Sequence, residues 1–150
     1  KNRYMHLGKN EFQKPASFVG NTVHMLMSIL LNNSSEIDKS TFYIADYPCY
    51  STKKWAIEIQ KVLNSKKIKT APLWVLRIIA LLGDIMKKLF KFDPPLTSFR
   101  LNNMLTGGDY PLKNTRKIVG ELPYNLNESV YITAKWMYKN NLIKNKPIKV

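Results

Sequence analysis

Six stretches of helical period, interleaved with four short β-prone runs, place this chain in the α/β class, mostly helical. Its 150 residues correspond to about one domain. At 45% hydrophobic and 23% charged it has the composition of an ordinary globular domain, long enough to bury a core.

The first β-prone run is residues 3–7, ending at Gly8. Lys9-Asn10 make a turn, and residues 12–14 are expected to return as a second strand. From Ser17 the period changes: Val19, Val23, Leu26, Met27 and Leu30 share one helical face, and the helix should stop near Asn32-Asn33. Residues 41–46 (Thr-Phe-Tyr-Ile-Ala-Asp) are apolar on both faces, as in a buried strand of a parallel sheet. Ser51 or Thr52 can cap the next helix, whose inner face carries Trp55, Ile59, Val62 and Leu63. Residues 67–71 read as extended, because Pro72 disfavours helix at the position before it. Pro72 then opens a helix to about Phe90, ended by Asp93-Pro94-Pro95. Short helices follow over 96–105 and 112–119, the second closed by Gly120. Asn127 is expected to cap a last helix with Val130, Ala134 and Met137 on one face. The expected organisation is a single lobe over 1–139 and a loose basic tail over 140–150. Trp55, Trp74 and Trp136 sit in apolar patterns and read as core.

Lys and Arg total 24 against 10 Asp and Glu, a net charge of +14. Such a surface attracts nucleic acid, an acidic membrane or a phosphorylated small molecule. The basic residues are dispersed, however, and Lys66-Lys67, Lys87-Lys88 and Arg116-Lys117 are pairs rather than runs. With no zinc-finger, RRM-like or KH-like pattern, nucleic acid is not an expected partner. A single cysteine, Cys49, excludes an internal disulfide and fits a cytoplasmic location. The chain opens at Lys1 without a signal-peptide pattern, which suggests that sequence precedes it. The most apolar stretch, residues 71–82, is interrupted by Arg77 and followed by Gly83-Asp84. It falls short of the roughly 20 apolar residues of a transmembrane helix and reads as a helix buried or covered by a partner.

Catalytic chemistry is hard to assemble from these residues. Gly107-Gly108 makes a turn and not a dinucleotide fingerprint. His6 and His24 are far apart, acids are scarce, and no metal-ligand spacing occurs. The chain alone therefore yields no catalytic, cofactor-binding or metal residue.

The order of several segments resembles one family. Phe18-Val19-Gly20-Asn21 resembles an aromatic-Val-x-Asp motif that opens a helix at a substrate cleft. Residues 41–46 resemble a "vYniGd" strand, residues 51–63 the helix after it, and residues 68–74 an "i..vP.w" segment. Pro95 to Arg100 resembles "Plt..R", Thr115 to Pro123 resembles "k.r.eLG..P", and Val130 to Trp136 resembles "gv..T..W". Together, over roughly residues 1–138, they resemble the C-terminal substrate-binding part of the extended short-chain dehydrogenase/reductases, the NAD-dependent epimerase/dehydratase family acting on nucleotide sugars.

The resemblance implies a lobe of a Rossmann-type enzyme whose NAD or NADP is held by an N-terminal Rossmann domain not found in this chain. It implies a nucleotide-sugar substrate and a place in polysaccharide biosynthesis. Arg100 matches a family arginine that pairs with the substrate diphosphate, for which a guanidinium fork is well shaped. Lys14 stands near a second family arginine, and His6 lies in the strand that borders the base. Asn21 replaces the family's usual Asp and can equally be a helix cap. Tyr50 and Lys54 have the Tyr-x-x-x-Lys spacing of the family's catalytic pair but follow the wrong strand, so they read as chance. A strand at 41–46 without its parent sheet would lack partners, so it is expected to pair with another copy in self-association, to lie against the 3–14 hairpin, or to be poorly ordered. The competing readings are a non-catalytic binding module of the same fold and a basic nucleic-acid or membrane-surface protein.

Overall fold

A computed structural model describes residues 4–9, 11–32, 37, 40–90 and 92–149. It is mostly helical, with six helices and one two-stranded parallel sheet among the described residues. Where the sequence suggests one lobe, the chain divides into two compact units: residues 1–12 with 66–107, and residues 13–65 with 108–150.

The first unit is built on β1 (His6–Leu7) and β2 (Thr70–Ala71), paired in parallel with His6 opposite Thr70. The backbone N–H of His6 donates to Lys69 O at 2.8 Å and that of Gly8 to Ala71 O at 2.9 Å. This corrects the expected hairpin between 3–7 and 12–14. Gly8 has φ of +71° and turns the chain against Leu73, so β1 is left to pair with the distant run before Pro72. Pro72 then opens α3 (Leu73–Phe90), as its fixed φ favours. The buried stripe of α3 is narrow: Leu76, Ala80 and Gly83. Leu76 and Ala80 cluster with Ala71 and with Leu101 of α4 (Ser98–Leu105), edged by Leu7, Leu96 and Leu105. Gly83 allows the close approach, since a Cβ there would collide with the Leu96 carbonyl oxygen. Thr97 begins α4 by accepting from the Arg100 N–H at 3.3 Å, while Asp84 accepts from the Ser98 N–H at 3.2 Å. Trp74, read as core, is exposed.

The second unit holds α1 (Val19–Leu30), α2 (Thr52–Val62), α5 (Lys113–Val119) and α6 (Leu126–Lys139). Its core is Val62 of α2 with Leu126, Val130 and Ala134 of α6, flanked by Trp55, Leu63 and Ile143. Ile59, expected to point inward, is exposed, as is Trp136. Ser51 caps α2, accepting from the Lys54 N–H at 3.1 Å. Gly120 closes α5 with φ of +74°. The cap of α6 is Asn125 rather than Asn127. Asn125 and Glu128 exchange side-chain-to-backbone bonds of 3.0 Å each, a reciprocal capping box, and Asn127 instead reaches Glu58.

Residues 41–46 are not a strand, which corrects the expected parallel-sheet strand and removes its motive for self-pairing. Single contacts replace the ladder. The Asp46 N–H donates to Ala16 O at 2.9 Å, and Tyr43 O accepts from the Thr115 hydroxyl at 2.7 Å. The Asp46 carboxylate accepts from the Ser17 hydroxyl at 2.8 Å and the Phe18 N–H at 3.2 Å, supplying the cap that Phe18 cannot give α1. The expected 12–14 strand is reduced to one antiparallel bridge between Gln13 and Ser51. Residues 140–149, expected to be loose, are tied to the end of α2. The Ile148 N–H donates to Val62 O at 2.8 Å, Asn145 Nδ2 donates to Leu63 O at 3.1 Å, and Pro147 is buried.

Candidate functional site

One concave feature of the second unit is an open cavity of about 440 Å³ between the 48–49 turn and the start of α5. Gln13, Cys49, Asp109, Tyr110, Lys113 and Arg116 line it. The residue Arg116 is held in place by Tyr47, whose ring lies 4.7 Å from the guanidinium carbon. Tyr47 is itself fixed by donating its hydroxyl to Gly120 O at 2.5 Å. Tyr110 stacks on Tyr43, centroids 5.3 Å apart and planes 17° from parallel. A local fact of sequence lies behind this arrangement: Gly120 ends α5 one turn after Arg116, which brings its carbonyl to the Tyr47 hydroxyl.

The cavity offers cations at Lys113 and Arg116, an acceptor at Asp109 and an aromatic face at Tyr110. That set can hold an anion beside a hydroxyl-bearing group. It is not equipped for nucleophilic chemistry. Burial pushes the Cys49 thiol up, and the Asp109 carboxylate pushes it further, so the reactive thiolate is suppressed. Burial also raises the Tyr47 phenol, with Arg116 pulling the other way and Asp46 adding to the rise.

The four residues expected to touch substrate fall two on each unit. On the first unit, Arg100 donates through Nη1 to Pro94 O at 2.6 Å and through Nη2 to Asp93 Oδ2 at 2.7 Å. Asp93 also pairs with Lys87 at 3.4 Å. The hydrogen bond from Arg100 holds the Asp93 carboxyl below its ordinary range. His6 sits on β1, half-buried, with Nδ1 3.0 Å from the Tyr4 hydroxyl. On the second unit, Lys14 is half-buried and follows the cavity residue Gln13. Asn21 is fully buried and spends its amide on Tyr124, donating to its carbonyl at 2.9 Å and accepting from its N–H at 3.1 Å. It clamps α1 to the loop before α6 and leaves no polar atom for a ligand.

No family model, curated protein or solved structure matches the chain. Among the described residues no group of three metal-ligating side chains occurs. Lys54 lies over the Tyr50 ring at 4.7 Å, and burial, with Asp46, raises the Tyr50 phenol. The Lys54 ammonium lies over the ring face, which is a packing contact. The cavity residues Asp109, Tyr110 and Lys113 were beyond sequence reasoning, since they meet Gln13 and Cys49 only through the fold.

Proposed function

We propose that this chain recognises the nucleotide-sugar substrate of an NAD(P)-dependent epimerase or dehydratase and performs no chemistry itself. The observation that supports this reading is the set of cross-braces between the family-like segments. Asp46 of the 41–46 segment bonds Ser17 and Phe18 of the aromatic-Val segment, and Thr115 of the 115–123 segment bonds Tyr43. Segments that resemble one family in sequence order are also joined to each other by polar bonds.

In this reading Arg100 carries the diphosphate contact. Phosphate oxygens would replace the Asp93 carboxylate on the guanidinium fork, which is already preorganised by Pro94 O. On the same unit His6 adds a contact to the base; Lys14, on the other unit, is a separate point-charge candidate for phosphate. NAD or NADP belongs to the Rossmann domain of the parent enzyme, a cytoplasmic protein of polysaccharide synthesis. Asn21 has no part in binding.

Calorimetric titration with a panel of nucleoside-diphosphate sugars tests this. Arg100→Ala should weaken binding about 10- to 100-fold, the worth of a charge-assisted hydrogen bond. Asp93→Asn should strengthen it by removing the competing carboxylate. Absence of binding across the panel, or indifference to Arg100→Ala, rejects the reading.

A further inference from the structure

Helix α3 carries an apolar face that nothing in its own unit covers. The side it packs is the stripe Leu76, Ala80 and Gly83. Away from that stripe, Trp74, Ile78, Leu81, Leu82, Ile85 and Leu89 are all exposed. At about 100° per residue these six fall within an arc of roughly 100°, a continuous face about 22 Å long. The exposure is substantial: 67% for Trp74, 58% for Leu81 and 68% for Leu89. Patches of this kind mark interaction surfaces.

Charge selects the occupant. Arg77 and Lys88 stand at one margin of the apolar arc, and Lys66, Lys67 and Lys69 are exposed just before β2. Asp84 is the one acid of α3. A second copy would bring another net +14 against this face and be repelled, whereas an anionic surface is attracted. The six residues are Trp, Ile and Leu, with the indole N–H their only polar group, and Trp is favoured at the membrane–water interface. No helix among the described residues, α3 included, is long and apolar enough to cross a membrane. An apolar face bordered on one side by Arg77 and Lys88 suits the plane of the lipid interface.

We propose that α3 docks the chain in-plane on an anionic lipid bilayer, with Trp74, Ile78, Leu82, Ile85 and Leu89 in the headgroup–acyl boundary and Arg77 and Lys88 against the phosphates. This inference stands apart from the nucleotide-sugar reading and survives its failure.

The test is co-sedimentation of the full chain with phosphatidylcholine vesicles, with and without phosphatidylglycerol. Binding to the anionic vesicles should exceed binding to the neutral ones by about tenfold or more. The triple variant Ile78→Ser, Leu82→Ser, Ile85→Ser, which alters only exposed side chains, should lose that binding while keeping its circular dichroism spectrum. Brominated acyl chains should quench tryptophan fluorescence of the wild type and do so much less in Trp74→Phe, a readout that does not depend on the triple variant folding. Three outcomes overturn the proposal: no vesicle binding, binding that the triple variant retains in full, or a dimer by light scattering that the triple variant dissociates without any vesicle binding.

Discussion

Asn21 shows how one side chain can settle a segment's geometry. A buried amide can both donate to and accept from the Tyr124 peptide, and a carboxylate can only accept. That is why an amide suits this site and a carboxylate does not. Asn21→Asp should cost about 2–3 kcal/mol at neutral pH, because a carboxylate would face the Tyr124 carbonyl without a proton to share. The sign follows from the protonated form, which can donate to that carbonyl. The variant's folded carboxyl pKa lies above the unfolded value of about 3.9, so the deficit is small at low pH and grows as pH rises through the folded pKa. Chemical denaturation across that range checks it. Cys49 gives a second residue-scale expectation. Its thiol is raised first by burial and then by Asp109, so alkylation near pH 8 should be slower than for a free cysteine. Asp109→Asn should speed it by removing the carboxylate, and a rate that is unchanged or slower would contradict that account. Neither residue's role was legible in the sequence. Asn21 reads there as a cap, and its partner Tyr124 is 103 positions away.

At the scale of elements, helical period was a good guide and strand propensity a poor one. All six expected helices form, because amphipathic spacing and caps such as Ser51 and Gly120 are local properties. Strands depend on what lies beside them. Residues 41–46 have the apolar run of a buried strand, yet no neighbouring strand meets them, and Asp46 and Tyr43 bond loop and helix groups instead. The short run at 67–71 does pair, because β1 is brought alongside it. Packing of α3 on α4 turns on Gly83. In an open helix, Gly→Ala gains about 1 kcal/mol from propensity. Here the added Cβ meets the Leu96 carbonyl, a backbone atom that cannot swing aside, and overpacking of that kind costs about 1–3 kcal/mol. Gly83→Ala should therefore destabilise, and a rise in melting temperature would show that the 94–96 turn yields freely.

For the whole molecule, charge and connectivity matter most. A net charge of +14 repels itself in the folded state. Raising salt from about 10 mM to about 150 mM should lift the melting temperature by a few degrees, since the screening length shrinks to about 8 Å. A flat response in scanning calorimetry would mean that local pairs such as Lys61–Glu58 and Arg100–Asp93 already absorb the repulsion. The division into two units was not legible either. Composition is even along the chain, and the boundaries near 12, 65 and 107 carry no shared linker signal. The first unit is discontinuous, and β1 reaches β2 only across the intervening residues 13–65. This sets an order on synthesis. As the chain leaves the ribosome, β1 emerges before α1 and α2 and has no partner in β2 until both have followed it. The parallel pair and the helices behind it can be completed only afterwards, and the other unit later still, because Val62 of α2 waits for Leu126, Val130 and Ala134 of α6 while its apolar surface stays open to chaperones.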